Sequence, residues 1–312
     1  MRPSVPPVAV LLLAMFGISW AAPLVRLSSA PPLVVATWRL ALAVTVLGVA
    51  LASRGGARAW RALDARGHAL AAGAGVMLAL HFWSWNASLH FTTIAASVVL
   101  VNLQPAIVAA GSALVLREPP SRAQLVGIAA AIVGAAIVAA PDFVRPAATV
   151  SPATAFGVPA PLVGDALAVV GALTAAGYYL IGRRLRATLD LLPYVVLVYG
   201  WCLAALLILC LVRDEPLLPW PTRDWAIFAA LAAGPMLLGH TGMNWALRHL
   251  PAHVVNLTVL GEPVGASLLA MLVPAIGERL GAWTLIGGAC ILAGALLALR
   301  SPARAGRGGG AG

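Results

Sequence analysis

Glu262 and Pro263 interrupt an otherwise apolar run, NLTVLGEPVGASLLAML, at residues 256–272. Counted from the start of that apolar segment at residue 252, Glu262 lies roughly 15 Å deep at about 1.5 Å per residue. A charge at such depth in hydrocarbon costs about 2.5–3.5 kcal/mol on insertion scales, so the carboxylate must face protein or water and find a partner or a proton. Arg39 is the other charged residue at comparable depth. Three readings of Glu262 stay open: a structural ion pair with Arg39, a group that titrates or binds a cationic solute, and an unpaired protonated acid.

The polar residues around it sharpen the question. Pro105 and Pro263 each remove a backbone donor and leave carbonyls free deep in an apolar segment, which serves either a binding cavity or a packing kink. Asn102 and Gln104 stand just before Pro105, and Asn256 one and a half turns before Glu262; they suit a polar cavity or modest helix-to-helix hydrogen bonds. His240 and Asn244 are one turn apart and share a helix face. His81 with Trp85 forms a similar pair, and Asn86 corresponds to Asn244. A histidine in such a place is a proton relay or a hydrogen-bonded strut. Trp20 and the neighbours Tyr178 and Tyr179 sit too deep for an interfacial belt, and either stack on a bound solute or fill the core.

The elements that must position these groups follow from composition. With 61% hydrophobic and 10% charged residues and a mean hydropathy of +0.95, the chain cannot cover a soluble globule. It reads as an all-α integral membrane protein whose main surroundings are the lipid bilayer. Ten apolar runs are long enough to cross hydrocarbon: residues 7–25, 32–52, 67–89, 93–116, 123–140, 164–182, 191–212, 224–247, 252–274 and 281–299. The proline-rich stretch PDFVRPAATVSPATAFGVPAPLV, residues 141–163, is aperiodic and reads as a linker. It separates a five-span unit, residues 1–140, from a second, residues 164–300. Residues 301–312 read as a glycine-rich, disordered cytoplasmic tail.

The two units repeat each other. Asn86, Leu89 and Pro105 match Asn244, Leu247 and Pro263 at an offset of 158, and Glu118, Leu125, Gly127 and Gly134 match Glu278, Leu285, Gly287 and Gly294 at 160. Polar residues, prolines and glycines at a held spacing do not recur by chance as leucines do. Glu118 and Glu278 read as carboxylates stabilised at helix starts, and the glycines as close-packing contacts.

An odd number of spans per unit inverts the second relative to the first, and the arginines agree. All twenty basic residues are arginines. With both termini cytoplasmic, fourteen fall on that side, five (Arg26, Arg145, Arg213, Arg223 and Arg279) on the other, and Arg39 within the membrane. The arginines lie in short clusters beside apolar runs, so the +10 net charge reports orientation and not nucleic-acid binding. Cys202, Cys210 and Cys290 lie within apolar runs without metal-ligand spacing. The expectation is no metal and no cofactor.

Inverted repeats allow two similar bundles to alternate around a site near the midplane. No HExxH, nucleophile elbow, P-loop or paired intramembrane aspartate is present to carry enzymatic chemistry. The alternative to a carrier is a membrane-embedded enzyme or scaffold without solute flux.

Each unit closes in the same way, with PAIVAAGSALVLREPPSRAQLVGIAAAIVG and PVGASLLAMLVPAIGERLGAWTLIGGACILAG. With GISW in span one and ATWRLALA around Arg39, these endings resemble the EamA-type repeat of the drug/metabolite transporter superfamily. The resemblance runs from about residue 8 to residue 299. It implies ten helices in two inverted five-helix repeats and a secondary carrier of the cytoplasmic membrane. Small metabolites such as amino acids or their relatives are the implied substrates, moved by efflux or exchange. Gln104 stands where Glu262 stands in the other unit, so any role of that carboxylate belongs to one unit only. Proton coupling through Glu262, the identity of the cargo and the oligomeric state stay undetermined by the sequence.

Overall fold

The computed structural model describes residues 5–92, 94–144, 154–155, 158–276 and 282–300. Within them the chain is helical except for a minimal antiparallel pair in the linker, β1 (Thr154–Ala155) against β2 (Val158–Pro159). Hydrocarbon explains the helices, because an apolar segment in lipid has no water to satisfy its backbone and must bond within itself.

The helices run in chain order as α1 (Pro7–Ser19), α2 (Ala21–Leu27), α3 (Pro32–Ser53), α4 (Ala65–Phe91), α5 (Ile94–Val101), α6 (Gln104–Gly111), α7 (Arg122–Val144), α8 (Ala160–Leu185), α9 (Leu191–Val212), α10 (Thr222–Leu231), α11 (Thr241–Ala246), α12 (Ala252–Leu257), α13 (Glu262–Leu272) and α14 (Ala282–Arg300). They build the ten expected spans, some from two pieces. Pro7, Pro32, Pro105, Pro161 and Pro263 each stand in a helix's first two positions, where a missing N–H costs nothing. That is why the linker is shorter than its prolines suggest: α7 continues to Val144 and α8 starts at Ala160, ahead of Pro161. Asp64 caps α4 by accepting the Gly67 amide at 2.7 Å, and Ser121 with Gln124 forms a reciprocal capping box on α7.

Among the described residues, five spans are both long and apolar enough to cross a membrane by length and composition alone: Pro7–Leu27, Pro32–Ser53, Ala160–Leu185, Leu191–Val212 and Thr222–Ala246. α4 has ample length at 27 residues but carries His81, Ser84, Asn86 and Ser88, all buried inside the protein. Spans four and nine lose their continuity at the prolines. Outward positions such as Leu12, Phe16, Val49, Leu173, Ile208 and Leu211 are each more than half exposed, as residues facing lipid must be.

Four spans are interrupted within the bundle. Pro23, Pro105 and Pro263 cannot donate to the carbonyls of Ser19, Val101 and Val259, so span one breaks at Trp20, span four at residues 102–103, and span nine across a 3₁₀ turn, Thr258–Gly261. In span eight, Pro235 lies inside a π-helical stretch, Ala232–His240, where bonding passes to i+5.

The two repeats interlock; they do not stand side by side. α7 packs along α14, α4 along α8 and α9, α3 along α9, and α1 against the π stretch, α11 and α13. Two apolar clusters, one from Leu11 through Phe82 to Val259 and one from Ala21 through Trp85 to Leu231, each draw on both repeats. The close approach of α4 and α9 depends on Gly75, where an added Cβ would lie 2.8 Å from both the Val198 carbonyl and the Cys202 amide. Neither backbone atom can rotate away. Gly75→Val should therefore destabilise the detergent-solubilised protein by about 1–3 kcal/mol, read as a lowered thermal midpoint, whereas Gly73→Val, facing open space, should leave it unchanged.

Candidate functional site

The interruptions converge. A small cavity inside the bundle is lined by residues beside each of them: Ile18 and Ala21 at the break in span one, Val101 and Gln104 in span four, His240 at the end of the π stretch, and Val259 and Glu262 in span nine. Continuous helices complete the wall, with Arg39 from α3, His81, Phe82 and Trp85 from α4, and Tyr179 from α8. Both repeats contribute. The cavity measures about 30 Å³, room for about two water molecules.

Arg39 is 1% exposed. Its guanidinium lies over the Phe82 ring, 4.3 Å from the centroid, a cation–π contact that is worth most where water is excluded. Its Nε and Nη1 have no hydrogen-bond partner. The ion pair with Glu262, one of the three readings left open, is not formed: among the described residues the ion pairs are Arg183–Glu118, Arg213–Glu215 and Arg248–Asp190. Phe82 holds the guanidinium instead, and the two charges face one cavity without touching.

The histidines meet as well. His81 Nδ1 lies 3.0 Å from the Gly171 carbonyl; a carbonyl only accepts, so Nδ1 carries the proton. The ring stacks nearly parallel to Trp85 at 6.3 Å and lies 6.3 Å from His240, whose Nδ1 has no partner. Gln104 Nε2 donates to Asn256 Oδ1, tying the break in span four to that in span nine, and Asn256 Nδ2 donates to the Ala252 carbonyl at 3.0 Å.

Comparison with known proteins agrees with this architecture. The family model for the EamA-like transporter family matches residues 6–140 and again residues 162–300. The chain belongs to the EamA-like transporter family. A solved structure described only as "Crystal structure of protein" aligns with 94% of this chain and 96% of its own at 19% identity and a TM-score of 0.71, a likeness of fold. No curated protein matches the sequence. The protein is thus a multi-pass membrane protein of a transporter family, and both family repeats contribute to the cavity.

Several residues singled out in this EamA-like sequence stand elsewhere. Asn86 donates to the Pro32 carbonyl at 3.1 Å, and Asn244 to the hydroxyls of Tyr178 and Tyr199, the latter at 3.2 Å. Both asparagines are fully buried struts. Asn86 is five residues beyond His81, about 140° around a 3.6-residue helix. Asn244 is one α-helical turn beyond His240, but its side chain is drawn to the two tyrosine hydroxyls from α8 and α9. Asn102 bonds back to the Val98 carbonyl at 2.6 Å, Trp20 sits half-buried at the break, and Tyr178 points at Asn244 while its neighbour Tyr179 lines the cavity. Phe82 went unnoticed in the sequence because one phenylalanine among leucines carries no polar signal.

Polar contacts tie the repeats together at both ends of the bundle. At one, Glu118 accepts from Arg183 Nε at 3.1 Å and Nη2 at 2.8 Å, so it acts between repeats and not as the helix-start charge expected of it. Its sequence counterpart Glu278 lies outside the described residues. At the other end Asp224, 2% exposed, accepts from Ser28 Oγ at 2.6 Å, Ser29 N at 2.9 Å and Ser29 Oγ at 2.6 Å. With the native cysteines replaced by alanine, Asp224→Ala should free this turn. A cysteine at Ala30, which is 2% exposed, should then react with a hydrophilic maleimide at least about tenfold faster, as local opening predicts.

Proposed function

We propose that this EamA-like chain is a secondary carrier of the cytoplasmic membrane, with both termini cytoplasmic, that moves amino acids or related small metabolites by efflux or exchange through alternating access. The observation that supports this reading is the cavity in which a guanidinium from one repeat and a carboxylate from the other face the same space unpaired. An uncompensated buried cation is costly. A solute carrying both a carboxylate and an ammonium group satisfies Arg39 and Glu262 together, with Phe82, Trp85 and Tyr179 as its apolar walls.

The cavity's size fits an alternating cycle. Room for about two waters excludes a metabolite, and polar contacts join the repeats at both ends of the bundle. Loading requires the helices to part around the midplane, and the broken spans supply the joints. Glu262 is the one carboxylate on the cavity wall, which makes it the coupling group if protons drive the flux.

Counterflow in sealed proteoliposomes loaded with pooled labelled amino acids and related metabolites tests the reading. Exchange of one compound class is expected. Arg39→Gln should reduce that exchange at least ~30-fold, the cost of removing one partner of a desolvated charge pair, with the esterified cargo less affected. Glu262→Gln should remove any dependence on an imposed pH gradient; unchanged flux and unchanged pH dependence would return Glu262 to a structural role. Absence of flux for every compound, from folded protein, would favour the enzyme or scaffold alternative.

A further inference from the structure

A second polar cavity lies at the end of the bundle where α3 gives way to α4. α3 ends at Ser53 with Arg54 as its cap, and Gly55 follows at a φ of +63°, the left-handed conformation that terminates helices. The chain then makes a 3₁₀ turn, Gly56–Ala62, before α4 begins. Around this elbow is a cavity of about 450 Å³ lined by Arg58, Arg61, His68, Trp60, Leu51 and Ala52, within the ~300–1,000 Å³ range of small-ligand sites. No acidic residue is on its wall.

The arginines of this end fall into two groups. Arg183, Arg184, Arg186 and Arg248 each donate to a protein acceptor: Glu118, the Val115 carbonyl, the carbonyls of Asn244 and Leu189, and Asp190. Arg58 and Arg61, like Arg54, Arg66, Arg117 and Arg122, have no hydrogen bond or ion pair among the described residues and are exposed; of these six, Arg58 and Arg61 line this cavity. The nearest acid in sequence, Asp64, is already accepting the Gly67 amide. The turn that carries the two arginines is nevertheless fixed, since Trp60 Nε1 donates to the Pro193 carbonyl at 2.9 Å and His68 Nε2 lies 3.1 Å from the Trp60 carbonyl. Arginines that only set orientation need charge and no shape; these two are held beside a cavity by an anchored indole.

An exposed apolar strip reaches the same place. Val46 and Val49, 55% and 67% exposed, and exposed Ala52 follow one another at i, i+3 and i+6 along α3, an apolar strip that ends at the basic cavity. We propose that this elbow binds one anionic phospholipid, with its phosphate headgroup between Arg58 and Arg61 and an acyl chain along Val46 and Val49. Bidentate guanidinium–phosphate geometry supplies the recognition. The site does not depend on the transport reading, and its test needs no flux.

The full chain, purified and delipidated in a non-ionic detergent, is titrated with phosphatidylglycerol and with phosphatidylcholine of the same acyl chains, and bound lipid is counted by native mass spectrometry. Phosphatidylglycerol should saturate at one tightly held molecule and bind at least about tenfold better than phosphatidylcholine. Arg58→Gln/Arg61→Gln should weaken it about tenfold or more without changing the melting temperature, while Arg213→Gln, at the opposite end, leaves it intact. Glycerol 3-phosphate, the headgroup without tails, should fail to compete. Equal affinity for the two lipids, an unaffected double variant, or an equal loss in Arg213→Gln would overturn the proposal. Competition by glycerol 3-phosphate would also overturn it, reassigning the cavity to a soluble phosphorylated compound.

Discussion

Hydrocarbon offers a freed backbone carbonyl no substitute partner, and each one left facing lipid costs several kcal/mol. This protein breaks four of its spans and therefore has to bring the breaks together, away from lipid. The cavity at their meeting point follows from that constraint. Trp20, Leu103, His240 and Gly261 mark the places where regular α-helix resumes after each break, and residues at or beside each one form the cavity wall. Groups that would be prohibitive on a lipid-facing helix, Arg39, Glu262, Gln104 and two histidines, collect where the backbone is already polar.

The same geometry explains why the repeats interlock. A half built as an independent lobe would have to cover its own broken helices. Here α1 of the first repeat covers the π stretch of the second, and α4 is clasped by α8 and α9. Gly17 and Gly75 mark two close crossings of this kind: an added Cβ at Gly17 would lie 2.8 Å from the Gly234 carbonyl. The relation between the halves is a repeat in sequence and a shared interior in space.

Much of this was legible in the sequence, and the limits are instructive. Span positions could be read because about twenty apolar residues have few other uses, and the interruptions at Pro105 and Pro263 because proline removes a definite hydrogen bond. Arg39 and Glu262 stood out by charge, and the structure places both on one cavity. Their separation could not be read, since it depends on Phe82 capturing the guanidinium, a contact 43 residues along the chain. Asn86 and Asn244 are buried at the depth the sequence suggested, but their side chains end on the Pro32 carbonyl and on the hydroxyls of Tyr178 and Tyr199, partners brought in by other helices that no count along one helix reveals. Which of Tyr178 and Tyr179 faces inward was undecidable for the same reason.

Glu262 has Gln104 as its counterpart in the other repeat, and the cavity's guanidinium likewise comes from one repeat alone. Two perfectly equivalent inverted halves would make the inward-open and outward-open forms mirror images of equal free energy. The charges lift that degeneracy. In a carrier of the kind proposed, they also place a fixed dipole inside the transmembrane voltage, so the empty protein rests preferentially open to one side. That preference cannot alter the final distribution of cargo, which the gradients alone determine. It does decide on which side the unloaded carrier waits, and therefore from which compartment it loads at the lower concentration.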